Sequence, residues 1–494
     1  MSSVKKNIIW SLASNVLPLL AGVILFPKII AAYGLEVFGV LTLAWALIGY
    51  FSLFDLGLSR ALTQQVSNYI AKNKSAAEIA QLIRTGFISM WLLGIVGGVV
   101  LWLSSPLIIH SLLKIPGALQ ADSLKAFMLL AISIPLVVHT AALRAVLDAL
   151  HLFKSASIIR TIMGVGSFLA PYLAAFIAPT LTSAVLSLMI TRLIVWVLHL
   201  YAVNHSKILA IKTSSFNFQQ LKPLLHFGSW MTISNVISPI MEYMDRFMIA
   251  SILGVVATSY YVAPSQVVTK LLVIPASISS VLFPLFSQHW QKDPKHAVHL
   301  LKQGFSYTFL ILFPVAVLLV FFAKEWLSLW LTPEFAIQAR LVVVWLTIGV
   351  LVNSTAQILF AKVQGAGHSD WTAKLHLAEV LPYLGMLYWS LYWWGIAGAA
   401  IAWALRTTID LLGLLVFVRK INPESLTKLY PNLLMLMCGV GLLVPSIYDF
   451  SLAVRSIEVG LILVTYFWIL LRELKADGML EKMMRFIKSR LALI

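Results

Sequence analysis

Glu242, Asp245 and Arg246 stand within about one helical turn of an otherwise apolar stretch, Leu224–Leu253. Ionised side chains are costly inside a bilayer. Where they occur they face a protein interior or a water-filled cavity and mark a transport path. Glu242 and Arg246 are four residues apart and share a helix face, so an internal ion pair can join them. Asp245 points about 100° away from Arg246. Such a turn either specifies packing as a neutral network or holds a ligand and a coupling ion. Three ionisable groups in one turn favour the second use.

Other charges fall in apolar stretches. Lys270 and Arg192 lie deep, and Arg406 with Asp410 and Arg144 with Asp148 are pairs four apart. Glu379 is an unpaired carboxylate on this reading and can carry a proton. Lys28, directly after Pro27, either snorkels to the headgroups or lines a cavity. Asp55 ends the second stretch in Phe-Asp-Leu-Gly-Leu, where it serves the helix end or an ion. Arg84, Arg160 and Arg340 read as snorkelling anchors. Cations thus outnumber secure partners, which points to an anionic ligand. Arginine in particular matches phosphate with two parallel hydrogen bonds. The candidate ligand set is Arg246, Lys270, Arg192, Lys28 and Arg406. The candidate ion-coupling or internal network is Glu242, Asp245, Glu379, Asp410 and Asp55.

Catalytic and metal motifs are not evident. His289, His296 and His299 cluster with Lys292 and Lys295. They read as a solvated basic loop, since no carboxylates stand by to orient the imidazoles around a metal. There is no nucleophile elbow and no Walker-type lysine, so no enzyme and no cofactor is expected, and any nucleotide energy must come from another protein.

The elements that position these charges follow from composition. The chain has 494 residues, 60% hydrophobic and 11% charged, with mean hydropathy +0.92. A soluble domain is nearer half apolar and a quarter charged. The fold class is therefore an all-α polytopic membrane protein, with about fourteen stretches of the ~20 residues a spanning helix needs. They begin with Ile8–Ala32 and Phe38–Leu56. The second set opens with Leu224–Leu253 and Ala257–Phe283 and closes with Leu375–Trp394 and Ile396–Val418. Leu433–Tyr448 and Ile457–Leu471 follow. The first stretch reads as a retained helix and not a cleaved leader. The single cysteine, Cys438, excludes an internal disulfide. The net charge of +17 reflects lysines and arginines on one set of loops and attraction to anionic lipids, not nucleic acid. That bias predicts both termini in the cytoplasm.

The chain also echoes itself. At an offset of 220 positions, Trp10, Ser14, Asn15, Val16, Ile29 and Gly34 meet Trp230, Ser234, Asn235, Val236, Ile249 and Gly254. Six spans separate the copies, so the repeat is parallel, with its pseudo-two-fold along the membrane normal. The predicted organisation is an N-terminal six-helix lobe (1–205), a cytoplasmic linker (206–222), a C-terminal six-helix lobe (223–420), an extra helix pair (421–474) and a basic amphipathic tail (475–494). The tail separates Met483, Phe486 and Ile487 from Lys482, Arg485 and Lys488, as an interfacial helix does.

Gly34-Leu35-Glu36-Val37-Phe38-Gly39, then Tyr50 and Asp55-Leu56-Gly57-Leu58-Ser59-Arg60-Ala61, resemble the N-terminal signature of bacterial polysaccharide flippases. Asp245-Arg246, Gly254 and Tyr260-Tyr261-x-Ala263 resemble the matching second-half signature. These flippases belong to the multidrug/oligosaccharidyl-lipid/polysaccharide exporter superfamily. The resemblance implies transfer of an undecaprenyl-pyrophosphate-linked oligosaccharide, the precursor of O-antigen, capsule or exopolysaccharide, to the outer leaflet of the bacterial inner membrane. It also implies a cationic central cavity, alternating access, and a polysaccharide polymerase and chain-length regulator as partners. A multidrug antiporter or a lipid II flippase of the same superfamily are the alternatives. A polymerase would show a large outer loop, whereas the clearest one here, Ser104–Ser123, has about twenty residues.

Overall fold

The computed structural model describes residues 2–51, 55, 57–206, 215–222, 241–290 and 292–476. Trp230, Ser234-Asn235-Val236, the first part of Leu224–Leu253 and the tail 477–494 lie outside the described residues. No strand occurs among the described residues. Ten helices among them are long and apolar enough to cross a membrane. Large apolar side chains such as Leu103, Ile132, Ile190, Leu381 and Met437 stand exposed along them. On so many helices at once such a surface fits lipid and not water.

The first helix, α1 (Ser2–Tyr50), is two crossings joined at Gly34, whose φ of 76° is open to glycine and strained for other residues. The ring of Phe26 meets that of Trp45 at 5.9 Å and that of Phe38 at 5.5 Å. A straight helix would hold residues 26 and 45 about 28 Å apart, so the chain reverses. The predicted spans Ile8–Ala32 and Phe38–Leu56 are the arms of this hairpin.

The chain forms two compact units, one of Met1–Ala263 with Val380–Ala399, the other of Pro264–Glu379 with Ala400–Ile494. In the first unit α1 is followed by α2 (Leu58–Ala71), α3 (Ala76–Leu107), α4 (Gly117–Ala149), α5 (Phe153–Ala174), α6 (Leu181–Asn204), α7 (residues 241–252) and α8 (Val255–Val268). Pro264 begins the second unit, so α8 runs from one into the other. Helices α3 and α4 approach closely at Gly94 and Gly98, where an added Cβ would lie 2.6 Å from Pro135 Cα and 2.8 Å from the Ala131 carbonyl oxygen. This is the small-xxx-small contact of membrane helices, which associate by packing because lipid offers no hydrophobic drive. Phe168 of α5 packs on Phe26 and Trp45 of both α1 arms.

Two elements escape hydropathy. Helix α2 is a short amphipathic helix that buries Leu58, Ala61, Leu62 and Val66 on one face. The expected outer loop Ser104–Ser123 is mostly helical: α3 continues as a π-turn to Leu112, and α4 starts at Gly117.

The second unit contains a 3-10 stretch (Thr269–Leu272), α9 (Val273–His289), α10 (Pro294–Phe321), α11 (Ala323–Trp330), α12 (Pro333–Gly365), α14 (Pro423–Leu443) and α15 (Leu452–Ala476). Its core runs through Phe305, Phe309 and Phe313 of α10, Val344 and Leu351 of α12, and Leu436 and Tyr466 of the last two helices. Helix α13 (Ser369–Ile421) passes through both units and turns at Gly395, φ 56°. An added Cβ on Gly398 would lie 1.9 Å from the Ser390 carbonyl oxygen, and on Gly413 2.8 Å from a Leu375 methyl. The expected spans Leu375–Trp394 and Ile396–Val418 are therefore a second hairpin. Tyr388, Trp389, Tyr392 and Trp393 stand exposed just before its turn, where aromatic belts mark the lipid–water boundary.

The corner before α15 is stitched by cations. Arg340 donates to the Ser446 and Ile447 carbonyls at 2.7 and 2.8 Å. It therefore caps the end of the 3-10 turn Val444–Ile447 and is not a snorkelling anchor. Arg455 is buried and binds both Glu325 oxygens, at 2.7 and 3.0 Å, and the Phe321 carbonyl at 2.8 Å. The Lys324 ammonium, 2.9 Å from Asp449, holds that carboxyl below the usual carboxylate range.

Candidate functional site

Helix α7 turns Met241, Asp245, Ile249 and Ala250 inward, and Arg246 beside them. Asp245 is 6% exposed and Arg246 8%. Tyr261 of α8 donates its hydroxyl to Asp245 Oδ2 at 2.6 Å, and the Arg246 backbone N–H donates to Oδ1 at 2.7 Å. The Arg246 guanidinium carbon lies 5.1 Å from the centre of the Tyr243 ring, within cation–π range. Its Nε is buried with no hydrogen-bond partner. Tyr50, near the end of α1, contacts Tyr243 at 5.8 Å and Phe247 at 5.7 Å.

Glu242 departs from expectation. It is exposed, and among the described residues no ion pair joins it to Arg246. The two share a face, but Arg246 turns onto the Tyr243 ring, and Asp245 is the carboxylate that goes inside. Sequence reasoning noticed Tyr261 only within a motif. Helix phase separates it from its neighbour, since Tyr261 is fully buried and Tyr260 is partly open.

The other candidate cations lie elsewhere. Lys28 is exposed, with its ammonium 5.6 Å from the Tyr172 ring centre, and Lys270 is exposed in the 3-10 stretch. Lys362 of α12, outside the candidate set, is 2% exposed, with its ammonium 5.5 Å from the Phe286 ring centre.

In the second unit the α13 arms bring four ionisable groups together. Glu379 Oε2 is 3.6 Å from Arg406 Nε, and His376 Nε2 is 3.5 Å from Asp410 Oδ1. The earlier residue of one arm meets the later residue of the other, as antiparallel arms require. Glu379 is therefore not unpaired. At 3.6 Å its contact is an ion pair longer than a hydrogen bond. Asp410 has His376 at ion-pair distance, a partner missed because it comes from the other arm. The Phe360 ring stacks on His376 at 5.7 Å.

The expected cationic surplus is not in the deepest layer. Among the described residues the buried carboxylates are Asp55, Asp245, Glu379 and Asp410, and the buried lysines and arginines are Arg246, Lys362 and Arg455. The surplus lies in less buried arginines around cavities. One cavity of about 250 Å³ in the first unit is lined by Asp55, Arg144, Arg160, Arg192 and His199. Two of these, Arg192 and Asp55, were candidates. Arg144 was expected to pair with Asp148, but no ion pair joins them among the described residues, because Arg144 is directed to the cavity. Asp55 accepts from the Gly57 N–H at 2.7 Å and the Ser59 hydroxyl at 2.6 Å, and so ties down the start of α2. A second cavity, about 430 Å³, lies in the second unit between α10, α14 and α15. Its wall is apolar, with Phe309, Phe313, Leu442 and Ile462, and one part of it carries Lys302, Ser306 and Asn432. No group of three metal-binding side chains occurs among the described residues, and His289 and His296 meet ring to ring at 4.8 Å.

Comparison with known proteins agrees with this architecture. A family model described as "Polysaccharide biosynthesis protein" matches residues 35–338. A Shigella flexneri protein named "Putative O-antigen transporter" is 33% identical over 410 residues, covering 83% of this chain and 96% of its own length. The solved structure of the lipid II flippase MurJ in an inward closed conformation superposes with a TM-score of 0.70 at 15% identity, over 94% of this chain and 99% of that one. The inward-facing conformation of a multidrug resistance MATE family transporter of the MOP superfamily gives 0.68 at 15% identity, over 84% of this chain and 96% of that one. The two structures establish a shared fold, and the sequence matches establish the lineage: the chain belongs to the polysaccharide biosynthesis protein family of multi-pass membrane transporters.

Proposed function

We propose that the protein is a flippase. It moves an undecaprenyl-pyrophosphate-linked oligosaccharide, the repeat unit of an O-antigen, capsule or exopolysaccharide, from the cytoplasmic to the outer leaflet of the inner membrane. Family membership and the name of the Shigella relative support the cargo class. The observation that carries the ligand chemistry is Arg246. It is buried, its Nε has no partner, and both oxygens of the neighbouring Asp245 are engaged by Tyr261 and backbone. A guanidinium left in that state suits a phosphate oxygen.

Fourteen crossings fit this fold. Ten spans are long enough, two of them fold back at Gly34 and Gly395, and α15 and the predicted stretch Leu224–Leu253, helical over residues 241–252, would supply two more. Gly34 and Gly254, 220 positions apart, both have positive φ at a helix turn, which supports the duplication into lobes 1–205 and 223–420. Alternating access then follows from rocking one repeat against the other. The apolar cavity between α10, α14 and α15 suits the lipid tail. Asp245, Glu379 and Asp410 are the groups for coupling to an ion.

Replacing Arg246 with Ala tests the reading. Export of surface polysaccharide is expected to stop while the protein still inserts at wild-type level. Normal surface polysaccharide with that variant as the sole copy would remove Arg246 from the site.

A further inference from the structure

We propose that the 250 Å³ cavity within the first unit is a phosphate-binding site that takes the phosphate or diphosphate of a lipid headgroup. Three arginines from three helices line it: Arg144 of α4, Arg160 of α5 and Arg192 of α6. Among the described residues none of the three has an ion-pair partner, and the Arg192 Nε is buried without a hydrogen bond. Arg406 and Arg455, by contrast, each face a carboxylate. The basic lining is therefore not a set of structural ion pairs that happens to border a void.

The one acid of the lining cannot neutralise it. Asp55 accepts from the Gly57 N–H and the Ser59 hydroxyl, neutral donors that leave its single negative charge against three cations. With a neutral histidine the lining sums to three arginines minus one aspartate, a formal +2. The remaining wall is apolar, with Ile48, Val138, Ile159 and Val195. Low-dielectric walls strengthen the attraction of a cationic lining for an anion.

Position and size narrow the ligand. Arg160 is in the first turns of α5, Arg144 in the last turns of α4, and Arg192 at the midpoint of α6. Arg192 and His199, both on the wall, are seven residues apart, a rise of about 10 Å. The arginines thus grade from one helix end towards mid-depth. On the orientation read from loop charge, that end faces the cytoplasm, where a lipid-linked precursor is made. The volume is just below the ~300–1,000 Å³ of pockets that enclose drug-sized ligands. It admits a diphosphate and leaves the oligosaccharide outside. Arg246 is not among the lining residues. The site deepens the flippase reading and rests on it only for which lipid is bound.

The test uses the full chain in phosphatidylcholine nanodiscs, with farnesyl diphosphate as probe. The wild type is expected to bind it. R192Q and the double variant R144Q/R160Q are each expected to weaken binding about tenfold or more, the loss of a charge-assisted hydrogen bond. R192K keeps the charge without the fork and should fall between the wild type and R192Q, which preserves the test if a glutamine variant aggregates. Adding phosphatidylglycerol to the discs separates the sources. Competition assigns the site to anionic phospholipid headgroups in general, and its absence assigns it to prenyl diphosphates. Wild-type affinity, within about twofold, in both glutamine variants overturns the site, as does failure of the wild type to bind. The flippase reading fails in another assay, unchanged surface polysaccharide when the gene is deleted, and that result leaves the binding comparison intact.

Discussion

Arg455 and Lys324 pair with acids in the same corner of the second unit, yet their worth differs. Arg455 is buried and makes three hydrogen bonds, two of them to Glu325. Lys324 and Asp449 are each nearly half exposed. R455A is expected to cost about 2–3 kcal/mol, because it strands a carboxylate and a carbonyl. K324A is expected to cost at most about 1 kcal/mol. Thermal unfolding of the purified variants in detergent checks both, and equal losses would refute the distinction. The same contrast explains what could be read from sequence at this scale. Local spacing names which residues share a helix face, so Glu242 and Arg246 were natural partners. Their actual neighbours are Tyr243 for Arg246, and for Asp245 a tyrosine sixteen positions on. His376 and Asp410 meet only because a helix turns back at Gly395. A partner supplied by a second element has no signature in the spacing of the first.

Hairpins are the dominant element, and Gly34 is what allows the first. At φ 76° and ψ 165° the backbone of Gly34 lies in a region essentially restricted to glycine, so a Val there costs about 1–3 kcal/mol and adds β-branch crowding. G34V should lower the thermal midpoint and open the 30–40 segment to protease, whereas E36A, at an exposed neighbouring position, should do neither. Apolar run length made most spanning elements legible, because a bilayer demands about 20 apolar residues whatever their order. The short amphipathic helices α2 and α11 were not legible. Neither is long enough to register as a crossing, and α2 also has exposed polar residues on its outer face. The loop expected at Ser104–Ser123 failed for a related reason. It is the less apolar gap between two runs, yet the Ser104 and Ser105 hydroxyls donate back to the Leu101 carbonyl and the backbone stays helical.

For the molecule as a whole, the driving force on the proposed cargo can be stated. An anionic headgroup leaving an inside-negative cell gains about 2.3 kcal/mol per charge per 100 mV. In proteoliposomes, collapsing an imposed potential should slow outward transfer of a diphosphate-linked lipid, while a neutral glycolipid should be indifferent to the collapse. The family lineage was readable from glycine, aspartate and tyrosine motifs. The location of the cationic surplus was not, because it depends on which face of each helix meets a cavity. The doubled-back α1 carries a consequence for biogenesis. Phe26, Phe38, Trp45 and Phe168 interlock across its turn and onto α5, so the nascent chain can offer the insertion machinery its opening pair of crossings as one prefolded wedge. Lys28 then rides into the membrane on a partner-shielded arm and need not enter on a lone helix.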